Sequence, residues 1–287
     1  MKRLIIIVSI FLLSGCKTTN LTSSHKNNKL PNNWNFKVEF NDKKELNLFD
    51  TKRLQSCFLN CETYNPTQIL QETNGNKYLS LTAKKGTQVI GRNKNSYRNE
   101  LGTKPSYNQF NLEGLELWYG FRVKKPKDIQ NESLDNTFTQ IKQVTKIHLG
   151  SSKLDCSKGV VFHMNSDGYL FNGDGINYIK FFEGKLISEN WTAYKIGIKF
   201  SYKEDGWIKV FKNNSNVWFQ KGPNLITKFY NKKLCNLKNI NLFGNHLRIG
   251  VYAKSNDSNA IDTLHFDDFV SGNSEQRVDN FHKKTKK

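Results

Sequence analysis

The segment Leu247-Arg248-Ile249-Gly250-Val251-Tyr252-Ala253-Lys254 alternates in polarity, and a strand places successive side chains on opposite faces. Leu247, Ile249, Val251 and Ala253 form an apolar side. Arg248, Gly250, Tyr252 and Lys254 form the other: two cations, a phenol, and a glycine where a ligand could approach the backbone. Such a set can hold an anion and move a proton. In Tyr97-Arg98-Asn99-Glu100-Leu101 the same period puts Arg98 and Glu100 on one face. There the carboxylate can orient the guanidinium and leave part of its fork for a ligand. In Phe138-Thr139-Gln140-Ile141-Lys142-Gln143, Gln140 and Lys142 point away from the face of Ile141. His163 stands on the next predicted strand, and His148 is expected in a loop.

The elements that must position these residues are strands. From about Trp34 to Gly272, apolar runs recur every ten or so residues between Asn, Gly, Asp and Lys. Thr192 to Phe200 alternates, with Tyr194, Ile196, Ile198 and Phe200 inward and Lys195 and Lys199 outward. Asp205-Gly206 turns this strand into Trp207–Phe211, and Asp167-Gly168 joins Gly159–Met164 to Tyr169–Phe171. Leu115 to Val123 is almost continuously apolar, as a central strand covered on both sides would be. Short helices are expected around Lys43–Phe49 and Thr67–Gln71. The pattern predicts an all-β chain of antiparallel strands in two sheets.

The ends read differently. Lys2 and Arg3 precede the apolar run Leu4 to Leu13, too short to span a bilayer and suited to a signal peptide. The run closes in Leu13-Ser14-Gly15-Cys16, which resembles a bacterial lipobox, so Cys16 is the expected lipidated residue. The organisation is then a signal peptide over 1–15, a polar tether over 16–33, a β-domain over 34–272 and a basic, disordered tail over 273–287. With Lys17 after the cysteine, the expected location is the outer membrane, facing the periplasm or the surface. Export leaves Cys57, Cys61, Cys156 and Cys235 in an oxidising space. Of three pairings, Cys57 with Cys61 and Cys156 with Cys235 is preferred, because nearby partners close a loop most easily.

Forty-four Lys and Arg against 25 Asp and Glu give a formal charge of +19. Setting aside Lys2, Arg3 and the four terminal lysines (Lys283, Lys284, Lys286, Lys287) still leaves +13. Such a surface concentrates polyanions. Export and the absence of any nucleic-acid-binding motif argue against nucleic acid, and an acidic polysaccharide is the better partner. No G-x-S-x-G elbow, P-loop, H-E-x-x-H or E-x-D-x-E strand is present. Asp267 and Asp268 are adjacent and so are expected on opposite faces. No metal or cofactor signature appears; calcium could bind a sandwich, but no motif places it. Oligomeric state is unreadable.

An R-x-E-L strand followed far downstream by a K/R-x-G-x-Y strand resembles the jelly-roll polysaccharide lyases, which include alginate, glucuronan and heparin-lyase-like enzymes. Glu116–Phe121, Phe138–Gln143, Asn190–Thr192 and Leu264–Phe269 agree with the heparin-lyase-like branch, and the resemblance runs from about Phe36 to Val270. It implies a concanavalin-like jelly-roll β-sandwich with a concave substrate groove, and β-elimination on a uronate-containing glycan. By the same resemblance Arg98 and Gln140 neutralise the uronate carboxylate, Glu100 orients Arg98, and Tyr252 transfers protons. Arg248 and Lys254 would bind substrate charge and stabilise a phenolate. Relatives commonly carry Gln-x-His where this chain has Gln140-Ile141-Lys142, so the base stays open between Tyr252, Lys142 and His163. The competing readings are a non-catalytic glycan-binding envelope lipoprotein and a structural envelope protein. Trp118, Trp207 and Trp218 could stack on sugars in any of them.

Overall fold

The short runs of alternating residues fold into two antiparallel sheets packed face to face, a jelly-roll sandwich. The computed structural model describes residues 37–51, 54, 65–86, 96–103, 106–108, 113–127, 137–149, 151–166, 170–172, 186–225, 233–236, 238–240 and 242–285. The lipobox with Cys16, the tether, Cys57, Cys61 and the Asp167-Gly168 turn lie outside them. The first strands are β1 (Lys37–Val38), β2 (Phe49–Asp50), β3 (Thr67–Gln71), β4 (Lys77–Lys84) and β5 (Ser96–Thr103). Next come β6 (Ser106–Asn108), β7 (Glu116–Lys124), β8 (Thr137–Leu149), β9 (Ser152–Asn165) and β10 (Leu170–Asn172). The chain continues through β11 (Thr192–Lys199), β12 (Trp207–Lys212), β13 (Ser215–Lys221), β14 (Leu242–Lys254) and β15 (Ile261–Gly272), then α1 (Glu275–Thr285). One sheet, here called the back sheet, runs β13-β12-β11-β7-β15-β4-β3, with β1 also on β15. The front sheet runs β10-β9-β8-β14-β5-β2, with β6 also on β14.

Leu247, Ile249, Val251 and Ala253 are buried between the sheets with Ile141, Phe162, Phe121 and Phe266, as alternation predicts. Each of these side chains larger than alanine contributes about 1.5–3 kcal/mol by leaving water. The front sheet departs from a regular ladder where β8 meets its neighbours. Pairing of β8 with β9 shifts register at three places, and β14 shifts against β8 between Ile249 and Tyr252. Bulges bend strands and sharpen their local twist. Next to the β14 bulge the Thr139 hydroxyl donates to the Arg248 carbonyl at 3.0 Å. Cys156 in β9 is bonded to Cys235, which precedes β14, so the preferred long-range disulfide is present.

Several expectations are corrected. Thr67–Gln71 is strand β3, paired along its length with β4, while Lys43–Leu48 is a 3-10 helix with an Asp42 capping box. His148 falls inside β8 rather than in a loop. The expected disordered tail is largely helix α1, which lies on the outer face of the back sheet. Its Val278 and Phe281 pack with Trp118 and Val270, and its Glu275 and Asp279 accept hydrogen bonds from Lys195 at 2.6 and 2.8 Å. Burial opposes the Lys195 charge, but these two carboxylates outweigh it and raise its pKa. Lys195 thus faces outward yet is buried. β7 is covered on both sides, as its apolar run predicts. Gly120 makes that cover close: a Cβ there would collide with Val278 and come within 2.9 Å of His282 Cε1.

Candidate active site

The outward face of the front sheet brings the polar residues of four adjacent strands together. β5 supplies Arg98 and Glu100; β14 supplies Arg248, Tyr252 and Lys254; β8 supplies Gln140 and Lys142; β9 supplies His163. Arg98 stands directly opposite Tyr252, and Glu100 opposite Gly250. Gln140 faces Arg248 on one side and His163 on the other, so these three form a row across the sheet. Directly opposed Cβ atoms lie about 5 Å apart. Every described candidate therefore belongs to one patch.

Among the described residues no further sheet covers this face, yet Arg98, Glu100, Gln140 and Arg248 are each under 7 % exposed. They form the floor of a recess. Tyr252, Lys142 and His163 are half-buried and Lys254 is exposed, so the cations and proton carriers line its upper part. On the floor, Glu100 Oε2 accepts a hydrogen bond from Arg98 Nη1 at 3.1 Å and lies 3.9 Å from Arg248 Nη1. One carboxylate thus orients the Arg98 guanidinium and lies near a second, leaving an excess of positive charge. The Arg98 guanidinium also sits 4.2 Å over the Tyr252 ring, which fixes phenol and cation relative to each other. Gln140 Oε1 is buried without a hydrogen-bond partner among the described residues, an unfilled polar position on the floor.

His163 has its pKa pushed down to about 4, first by burial and then by the charges of Lys142 and Lys254. It is neutral near pH 7 and able to accept a proton. The residue standing beside the glutamine in space is therefore this histidine from β9, while Lys142, two residues along β8, supplies charge. Sequence reasoning passed over His246, which faces Lys142 across β14 and is 8 % exposed. Its signal was present: it stands two residues before Arg248, on the same alternating face.

Gly250 has a different role from the one its neighbours suggest. Its φ is +143°, and a Cβ would strike the Asn99 carbonyl oxygen and lie 2.7 Å from Glu100 Cα. The glycine admits β5, not a ligand. The tryptophans are likewise not sugar platforms on this face. Trp118 is buried under α1 against Trp207, and Trp218 stacks on core Phe162 at 5.7 Å. Asp267 and Asp268 do not diverge either: both carboxylates meet Arg122 at 2.6 Å, because Asp268 adopts φ +50° within a bulge of β15.

A second cleft, of about 590 Å³, lies on the back of the molecule between β11 and α1. Its cations are matched: Arg122 by Asp267 and Asp268, Lys195 by Glu275 and Asp279. It offers a polyanion no net attraction, and the front recess does.

The described fold coincides with a recognised sequence family. Residues 39–270 match the family described as "Polysaccharide lyase". Among curated proteins, none matches the chain. Solved structures of similar shape include the endo-β-1,4-glucuronan lyase of the fungus Trichoderma reesei, 15 % identical, covering 76 % of this chain and 90 % of its own, with TM-score 0.45. A family 7 alginate lyase bound to product is 15 % identical over 74 % of this chain and 85 % of its own, with TM-score 0.46. The PL-14 alginate lyase of Aplysia kurodai is 11 % identical over 73 % and 87 %, with TM-score 0.43.

Proposed function

The chain belongs to the polysaccharide lyase family, and we propose that its front recess cleaves an anionic, uronate-containing glycan by β-elimination. The observation that carries this reading is the convergence of Arg98, Gln140, His163, Arg248 and Tyr252 on one face of the front sheet. The C5 proton of a uronate is weakly acidic until the adjacent carboxylate is neutralised. Arg98, held by Glu100, and the Gln140 amide neutralise it; Arg248 adds charge to the same row. Fixed cations act where charge develops in the transition state, commonly the largest catalytic contribution.

Proton transfer follows from position and protonation state. Neutral His163, beside Gln140, takes the C5 proton. The Tyr252 phenol gives its proton to the departing O4 as the C4–O4 bond breaks and the C4–C5 double bond forms. The Arg98 guanidinium over the ring stabilises the phenolate left behind. Positioned acid–base groups of this kind contribute typically 100- to 10,000-fold each.

Elimination creates a conjugated unsaturated uronate that absorbs in the ultraviolet; hydrolysis does not. The wild-type chain is expected to raise absorbance on at least one of heparin, heparan, glucuronan, hyaluronan, alginate or a bacterial capsule. Tyr252→Phe should fold normally and lose turnover by at least 100-fold. A fully active Tyr252→Phe would remove the tyrosine from the mechanism. No turnover on the whole panel would favour a binding protein instead.

A further inference from the structure

The motif that carries Arg98 and Glu100 leaves its middle position open, and the structure gives that position a task. Asn99 points away from the recess, through the sandwich, and is fully buried. Its Nδ2 donates to the Pro66 carbonyl at 2.6 Å, the Thr82 carbonyl at 3.1 Å and Thr67 Oγ1 at 3.2 Å. All three acceptors belong to the back sheet or its approach, at β3 and β4. On the other side of Arg98, the Tyr97 hydroxyl donates to the buried Asp262 carboxylate of β15. The strand bearing the arginine is thus tied to the opposite sheet at both flanking residues.

Hydrophobic side chains would hold the two sheets together without the cost of burying an amide. Polar ties add direction, because a hydrogen bond weakens steeply when its length or angle drifts. The location of Asn99 gives that direction a use. Its own carbonyl is the atom against which Gly250 packs, and Val251 stands opposite it, so its placement sets how β5 meets β14. That meeting brings the Arg98 guanidinium over Tyr252.

We propose that Asn99 is a positioning residue for the lyase reaction: by anchoring β5 to the back sheet it sets the depth and register of Arg98 and Glu100 in the recess. The proposal rests on the reading of Arg98 as the carboxylate-binding group. Displacing a fixed cation costs more in the transition state, where charge has grown, than in the bound ground state. The effect therefore falls on kcat rather than KM.

Asn99→Ser shortens the donor, and Thr67→Val removes one acceptor at the half-buried edge strand β3, where folding is least at risk. With the panel polymer turned over fastest by the wild type, Asn99→Ser is expected to lower kcat per folded molecule by roughly 10- to 100-fold. KM should stay within about twofold, and Thr67→Val should shift kcat the same way by a smaller factor. A purely structural role would lower the melting temperature and leave kcat per folded molecule unchanged. Wild-type kcat in folded Asn99→Ser, or in Thr67→Val if the serine variant does not fold, overturns the proposal. Arg98→Ala separates the two layers. If it is fully active, the reading of the recess fails; if it is inactive while Asn99→Ser keeps wild-type kcat, only the positioning role fails.

Discussion

At the scale of single residues, the histidine of the recess makes the sharpest claim. With its pKa depressed to about 4, His163 in the free enzyme stays unprotonated well into the acid range. The acid limb of kcat/KM, which reports the free enzyme, is expected near pH 4 rather than near the ordinary imidazole value of 6.5. His163→Gln should abolish that limb along with most of the rate; a profile falling near pH 6.5 would exclude His163 as the base. The same shift bears on stability. His163 and back-sheet His265, also lowered to about 4 by burial and Lys124, bind protons in the unfolded chain first as pH falls below 6.5. Their contribution is therefore present above pH 6.5 and lost on the way to pH 4. Asp267 opposes them: burial and Asp268 raise it to about 6, so its proton stabilises the fold as pH falls through 6.

Among the elements, β5 and β14 show what a sequence can and cannot disclose. Alternation assigned the faces of Leu247–Lys254 and Tyr97–Leu101 correctly, because a pleated strand with one dry face has only one consistent arrangement. It could not tell that Gln140 stands beside His163, since that depends on bulges that reset the pairing of β8 with β9. It also misread Asp267 and Asp268 where a bulge breaks the period. Gly250 was noticed for the wrong reason: its need for a missing Cβ comes from the neighbouring backbone, which no single segment encodes. Gly250→Ala is accordingly expected to destabilise the fold by roughly 2–5 kcal/mol through clash and positive φ, measured by urea denaturation. A variant as stable as the wild type would mean that β5 and β14 can part without cost. Helix α1 escaped notice because eleven residues with two anchoring apolar side chains, Val278 and Phe281, gain their stability from docking rather than from their own propensity.

Over the whole molecule, the disulfide acts inside the core and the helix on the outer face of the back sheet. Cys156 and Cys235 are 79 residues apart in sequence and both buried, so their bond limits how far the segment leading into β14 can stray from β9. Replacing both by serine is expected to cost about 2–4 kcal/mol, read from the midpoint of chemical denaturation; an unchanged midpoint would show that the front sheet holds its own edges. The helix has a practical corollary. It covers the outer face of the back sheet with Gly120 as its seat, so the chain's last described residues lie on the side opposite the proposed site. A reporter or capture tag joined through that helix would ride on the face opposite the proposed site, and immobilising the protein there would leave the front sheet turned toward solution.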